Sequence, residues 1–280
     1  MSKEVNISTY IAPLTRLGTP EMVVDSLIKA GFKSFDFTMM LPILGFDLFF
    51  TQEDYFSKAK QFRKYIDDRN ICCNQTHGFA PCLKSGDSES EKKKRHEFVK
   101  RNIEITSILG AKYCVLHPAS DCSLEENVNF FISFKEIAHK NNVVIAIENT
   151  LSDELFGKPE DFIELLNKID DESFKVCLDI GHSEITRVGS SAVDFIKKLK
   201  DKIVCLHIHD NDKNYDQHQL PFTLLIQFEP IFKALKECGY KGDITFECGS
   251  YFDNMPVSLF EDALKFLHDL GVYISKQIFD

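Results

Sequence analysis

Asp201 to His218 reads D-K-I-V-C-L-H-I-H-D-N-D-K-N-Y-D-Q-H, and how that stretch divides decides the fold. Ile203 to Leu206 is a short apolar run of strand length, and it ends in chemistry. His207, His209, Asp210, Asp212, Asp216 and His218 then fall within a dozen residues. A packed strand has no use for so many metal-capable side chains, whereas a loop at the carboxyl end of a buried strand does. Three other places repeat the pattern. Val144 to Glu148, Val176 to Asp179 and Ile244 to Glu247 each close an apolar run with a carboxylate, so the acids meet if those strands are parallel neighbours.

Outward from there, short apolar runs alternate with amphipathic segments, the signature of βα units and a parallel sheet. Eight units can be counted. The strands are expected over Val5–Tyr10, Ser34–Met40, Ile71–His77, Lys112–His117, Val143–Glu148, Phe174–Asp179, Ile203–His207 and Ile244–Glu247. Helices are expected from Thr19 to Gly31, Thr51 to Arg69, Ser88 to Leu109, after Ser123, and over Lys158–Ile169, Ser190–Leu199 and Phe228–Cys238. A closing helix is expected over Val257–Leu270, stopped by Gly271, and residues 41–50 read as an apolar loop. Thr19-Pro20 and Ser123-Leu-Glu-Glu126 are helix-start signals, a capped proline and a capping box.

A chain of 280 residues that is 44% hydrophobic matches the usual size of one closed α/β barrel, so a single (β/α)8 domain over residues 1–280 is expected. The balance of 33 basic against 43 acidic residues gives a formal charge of −10, which weighs against a nucleic-acid partner. Lys92-Lys-Lys-Arg95 is diluted by Glu89 and Glu91 and scattered around a helix, and reads as a solvated face. The nine cysteines are odd in number and several lie inside apolar runs, so no disulfide framework is expected. With no apolar leader core and no membrane-length run, a cytoplasmic protein is expected; a homo-oligomer is left open.

Six of the nine histidines, His77, His117, His182, His207, His209 and His218, lie at or just past expected strand ends. Glu148, Asp179, His207 and Glu247 supply three carboxylates and one imidazole from strands five to eight, a set suited to manganese, zinc, cobalt or magnesium. Burying three carboxylates without a cation is very unfavourable. A metal holding a carbonyl and the adjacent hydroxyl favours proton removal from the neighbouring carbon, with a carboxylate as base.

Seven motifs carry a resemblance: T-H-G at 76–78, H-P at 117–118, I-E-N at 147–149, L-D-I-G-H at 178–182, H-I-H-D-N-D at 207–212, D-Q-H at 216–218 and F-E at 246–247. Together they resemble the sugar phosphate isomerase/epimerase family, with its xylose isomerase-like barrel, related to AP endonuclease family 2. The resemblance implies one divalent metal on Glu148, Asp179, His207 and Glu247, with Glu148 and Glu247 as catalytic acid and base, and a small sugar or sugar phosphate as substrate. It implies substrate contacts from His77, His117, His182 and Lys213, and Asp216 and His218 as ligands of an additional metal. The same nine positions, His77, His117, Glu148, Asp179, His182, His207, Asp216, His218 and Glu247, match the ligands of the AP endonuclease relatives in order, so a multinuclear zinc phosphodiesterase is the chief rival. An inosose dehydratase-like lyase and a non-catalytic sugar-binding barrel are further alternatives. Where relatives have a glycine-containing L-P-G-E-G-like turn, this chain reads His218-Gln-Leu-Pro-Phe-Thr-Leu-Leu.

Overall fold

A computed structural model of the chain describes residues 5–39, 51–151, 154–185 and 190–280; the loop expected over 41–50 and the strand end expected at Met40 lie outside the described residues. The strands are β1 Ile7–Thr9, β2 Ser34–Thr38, β3 Cys72–His77, β4 Tyr113–Leu116, β5 Val144–Glu148, β6 Phe174–Asp179, β7 Ile203–His207 and β8 Ile244–Phe246. β2 to β7 form one parallel sheet in sequence order, and β1 pairs in parallel with β8. Single bridges at Tyr10–Asp36 and Ile208–Phe246 join the two sheets, so the strands close a ring. The fold is the expected eight-stranded β/α barrel.

The helices are α1 Pro20–Ala30, α2 Tyr55–Asp67, α3 Glu89–Ile108, α4 Leu124–Ile132, α5 Lys135–Asn141, α6 Pro159–Ile169, α7 Ile180–Glu184, α8 Ala192–Leu199, α9 Phe228–Cys238, α10 Gly249–Phe252 and α11 Phe260–Phe279. Capping boxes at Ser88, Ser123 and Ser191 open α3, α4 and α8, each cap contributing about 1 kcal/mol. The segment opened by Ser123 is split in two, because the Ser133 hydroxyl bonds back to the Phe130 carbonyl and Phe134 turns into the core.

The closing helix corrects the sequence reading. Gly271 is not a stop: α11 runs through it to Phe279. A Cβ on Gly271 would lie 2.3 Å from Ile7 Cγ2 and 3.0 Å from Phe246 Cε2, so the glycine marks where α11 presses on β1 and β8.

The apolar core has two parts. Between sheet and helices lie fully buried rings, among them Phe35, Phe62, Phe131, Phe162, Phe195 and Phe246, each contributing about 1.5–3 kcal/mol. Inside the barrel a separate small cluster, Val115, Ala146, Cys177 and Cys205, fills the space beneath the strand ends. No disulfide joins the nine cysteines. No helix among the described residues is long and apolar enough to cross a membrane.

Candidate metal centre

Side chains alternate along a strand, so residues of opposed register share a face. Asp179 stands opposite His207 in the β6–β7 ladder, and Glu148 opposite Cys177 between β5 and β6. All point into the barrel, where Glu247, just beyond β8, joins them. One ligand atom each from Glu148, Asp179, His207 and Glu247 lies within 4.8 Å of the others, and all four residues are buried. His207 Nδ1 is the hub: 3.1 Å from Glu148 Oε1, 3.2 Å from Glu247 Oε2 and 4.0 Å from Asp179 Oδ2.

These atoms are close without being paired. Both oxygens of Glu148, Oε2 of Glu247, and Nδ1 of His207 and His77 are buried with no hydrogen bond of acceptable geometry. His207 Nδ1 cannot satisfy the unpaired oxygens of both Glu148 and Glu247, and a divalent cation among these atoms can. The residues therefore fit the metal that the motifs imply.

Electrostatics follow the packing. Burial opposes ionisation of Glu148, but His207 and His117 outweigh it and hold its carboxyl well below the usual range. Glu247 is likewise held low against burial, mainly by His207. Burial also works against a proton on His207, yet Cys177, Glu148 and Glu247 raise its pKa well above the ordinary value. His77 moves the other way, lowered chiefly by burial.

His77 and His117 form one flank. His77 Nε2 is 3.5 Å from Glu148 Oε2 and its Nδ1 is 3.4 Å from Glu247 Oε1, while His117 Nε2 lies 2.9 Å from Glu148 Oε2. The other flank holds His182, His209, Asp216 and His218, whose ligand atoms also lie within 4.8 Å of one another. Asp216 Oδ2 is 3.3 Å from His182 Nε2 and 2.9 Å from His218 Nε2. Lys213 is held elsewhere: its Nζ lies 3.5 Å from Glu184 Oε2, a carboxylate that also accepts the Ala192 N–H at the start of α8.

Asp36 and Tyr10 were not singled out by the sequence, and Asp210, one of the metal-capable residues noted after β7, has a different role. Asp36 of β2 is fully buried inside the barrel, with Oδ2 accepting a 2.9 Å bond from Gln75 Nε2 and lying 3.5 Å from His207 Nε2. Tyr10 follows the weakly patterned first strand; burial and then the Glu247 charge raise its pKa well above the ordinary value, and its hydroxyl passes over Gly249, where a Cβ would lie 2.3 Å away. Asp210 ties down the loop that carries Asp216 and His218: its carboxylate accepts the N–H groups of Asn211, Leu224 and Ile226. That loop is strained, with Lys213, His218 and Phe222 at φ of 64°, 42° and 70°.

The family model of the xylose isomerase-like TIM barrel matches residues 24–270. The chain belongs to that family. The chain is 30% identical over 162 residues to the Uncharacterized protein y4fM of Sinorhizobium fredii, covering 54% of this chain and 51% of that one. A Probable endonuclease 4 of Mycoplasmopsis agalactiae is 28% identical over 152 residues, covering 50% and 55%. The chain thus spans about half the length of the curated relatives it matches. Among solved structures, a D-tagatose 3-epimerase-like protein superposes with a TM-score of 0.72 at 19% identity, covering 96% of this chain and 98% of that one. At that identity the likeness extends to the xylose isomerase-like fold alone.

Proposed function

We propose that the protein is a divalent-metal-dependent epimerase or isomerase of a small sugar, with Glu148, Asp179, His207 and Glu247 holding the ion. The carrying observation is that two buried glutamates from β5 and the end of β8 face one inward imidazole, His207, at 3.1 and 3.2 Å. When bound, the ion polarises a substrate carbonyl and so acidifies the neighbouring C–H. One glutamate takes that proton, and the other returns a proton to the opposite face of the same carbon, which inverts it. If one glutamate returns it to the adjacent carbon instead, an aldose and a ketose interconvert. His77, within 3.5 Å of both glutamates, and His117 line one side of the substrate space, and His182 lines the other. The D-tagatose 3-epimerase-like structure of the same fold supports this reading.

Charge bears on the substrate. One divalent ion among three carboxylates leaves the centre anionic, which suits a neutral sugar better than its phosphate.

A second reading, the multinuclear phosphodiesterase that the AP endonuclease resemblance implies, is favoured by the posture of the outer histidines. His182 Nδ1 donates to the Asn149 carbonyl and His218 Nδ1 to the Glu247 carbonyl, both at 2.9 Å, which leaves their Nε2 atoms facing Asp216 as ligands are oriented in metal sites. Three divalent ions would make the site cationic and suited to a phosphodiester.

The deciding experiment incubates metal-loaded protein with pentoses, hexoses and their phosphates in deuterated water. Entry of deuterium at a substrate carbon, lost in Glu148→Gln and Glu247→Gln by about 10²–10⁴-fold each, is the expected result. Cleavage of abasic DNA with no exchange on any sugar would overturn it.

A further inference from the structure

His209 looks like a metal ligand of the outer group, and its surroundings say otherwise. The residue is fully buried. A histidine bound to a metal through one nitrogen almost always donates the N–H of the other to an oxygen, because that bond fixes the tautomer and ring orientation. His182 and His218 meet this requirement through the carbonyls of Asn149 and Glu247. His207 turns Nε2 toward the carboxylate of Asp36, whose Oδ2 lies 3.5 Å away. His209 does not: its Nδ1 is buried with no partner. If Nε2 held a metal, Nδ1 would have to carry a proton with nowhere to donate it, and an orphaned buried N–H costs about 1–3 kcal/mol.

The other tautomer removes the difficulty. With the proton on Nε2, His209 donates to both oxygens of Asp179, at 3.1 and 3.2 Å, and Nδ1 keeps only an unused lone pair. Asp179 Oδ1 then has two donors, His209 and the His182 backbone N–H at 2.7 Å. Oδ2 is the oxygen that faces His207 Nδ1. Stacking on His218, with ring centroids 4.1 Å apart and planes 22° apart, holds the imidazole in this position.

We infer that His209 is a positioning residue, not a ligand: it holds Asp179 so that Oδ2 serves the central ion and Oδ1 is withheld from a cation at the outer group. The inference rests on the reading that Glu148, Asp179, His207 and Glu247 hold a divalent ion.

The test isolates the central site. Asp216→Asn removes the carboxylate of the outer group, and in that background the dissociation constant for zinc is measured by competition with a chromophoric chelator, with and without His209→Phe. Phenylalanine keeps the stacked ring and deletes the donor. The expected result is a central affinity weakened about 10–100-fold by His209→Phe and largely recovered by His209→Gln, whose amide can donate to Asp179. Circular dichroism confirms that each variant is folded, and the glutamine variant carries the test if phenylalanine is not accommodated. Unchanged affinity in His209→Phe overturns the inference while leaving the central ion in place. Loss of a second ion from the parent protein on His209→Phe, with the central affinity intact, overturns it in favour of a ligand role. An Asp216→Asn protein that binds no zinc overturns the underlying reading instead.

Discussion

Gly181 and His209 share one space: a Cβ on Gly181 would lie 1.9 Å from His209 Cε1 and 2.3 Å from Nε2. The glycine of L-D-I-G-H is there to let an imidazole lie against the first turn after β6. Gly181→Ala gains about 1 kcal/mol of helix propensity in α7, but it overpacks a buried ring, which costs about 1–3 kcal/mol. The net expectation is a lower melting temperature in chelator, together with the loss of zinc affinity expected of His209→Phe. An alanine variant that melts higher and binds zinc normally would show that the ring has room to move.

Asp36 orients the hub imidazole from beneath. Asp36→Asn keeps the volume but removes the negative acceptor facing His207 Nε2, at 3.5 Å, and upsets the Gln75 bond beside it. Zinc affinity is expected to fall about 10–100-fold, read by chelator competition, with little change in the circular dichroism spectrum. Unaltered affinity would show that the Asp36 charge does not orient the ring.

Removal of divalent ions exposes a pH dependence. Burial pulls the His218 pKa down from its ordinary 6.5, but the bond to Asp216, then the charges of Glu247, Asp216 and Asp179, push it up to about 9. A proton held more tightly in the folded state stabilises fully below the unfolded pKa, and that contribution is lost as pH rises through the folded value. His182, also raised, acts with the same sign. The metal-stripped protein is therefore expected to lose melting temperature between pH 6.5 and about 9. Asp216→Asn should flatten that slope, and proton NMR of the His218 ring should show its titration move toward neutrality.

Phe222 follows Leu220-Pro221 and adopts a left-handed backbone at φ 70°. Its ring packs on Phe228, Tyr273 and Phe232 at 5.1, 6.0 and 6.2 Å, which offsets the strain. Phe222→Gly relieves the backbone and Phe222→Ala does not, a difference of about 1–2 kcal/mol. Chemical denaturation should rank wild type above glycine and glycine above alanine. Alanine equal to glycine would mean that the loop relaxes out of the left-handed region.

The strands were legible because each is a short apolar run cut off by a polar residue, and the register that brings Glu148, Asp179 and His207 together follows from those cut-offs. Glycines were harder to read. Gly271 has the composition of a helix stop, and only the proximity of Ile7 and Phe246 shows that it relieves a collision. Asp36 sits in Ser34-Phe-Asp-Phe-Thr, where strict alternation suggests a solvent-facing acid on an amphipathic strand; in a closed barrel that face is the interior. His209 was visible as a histidine, but its role depends on which nitrogen lacks a partner, which no spacing encodes.

The seam between β1 and β8 gives the centre a second meaning. Ser8 and Thr245, 237 residues apart, meet there through a 2.8 Å hydroxyl contact, and Glu247 stands two residues beyond. An unzipped ring would still present Glu148, Asp179 and His207 but not Glu247, so an ion held as proposed by all four would bind the closed form in preference. Mass action then makes it a latch: at a hundred times its dissociation constant it favours closure by about 2.7 kcal/mol. On the proposed reading, metal supply is expected to set how often the barrel opens along the β1–β8 seam, and proteolytic cutting near β8 should slow as zinc is added, with no substrate present.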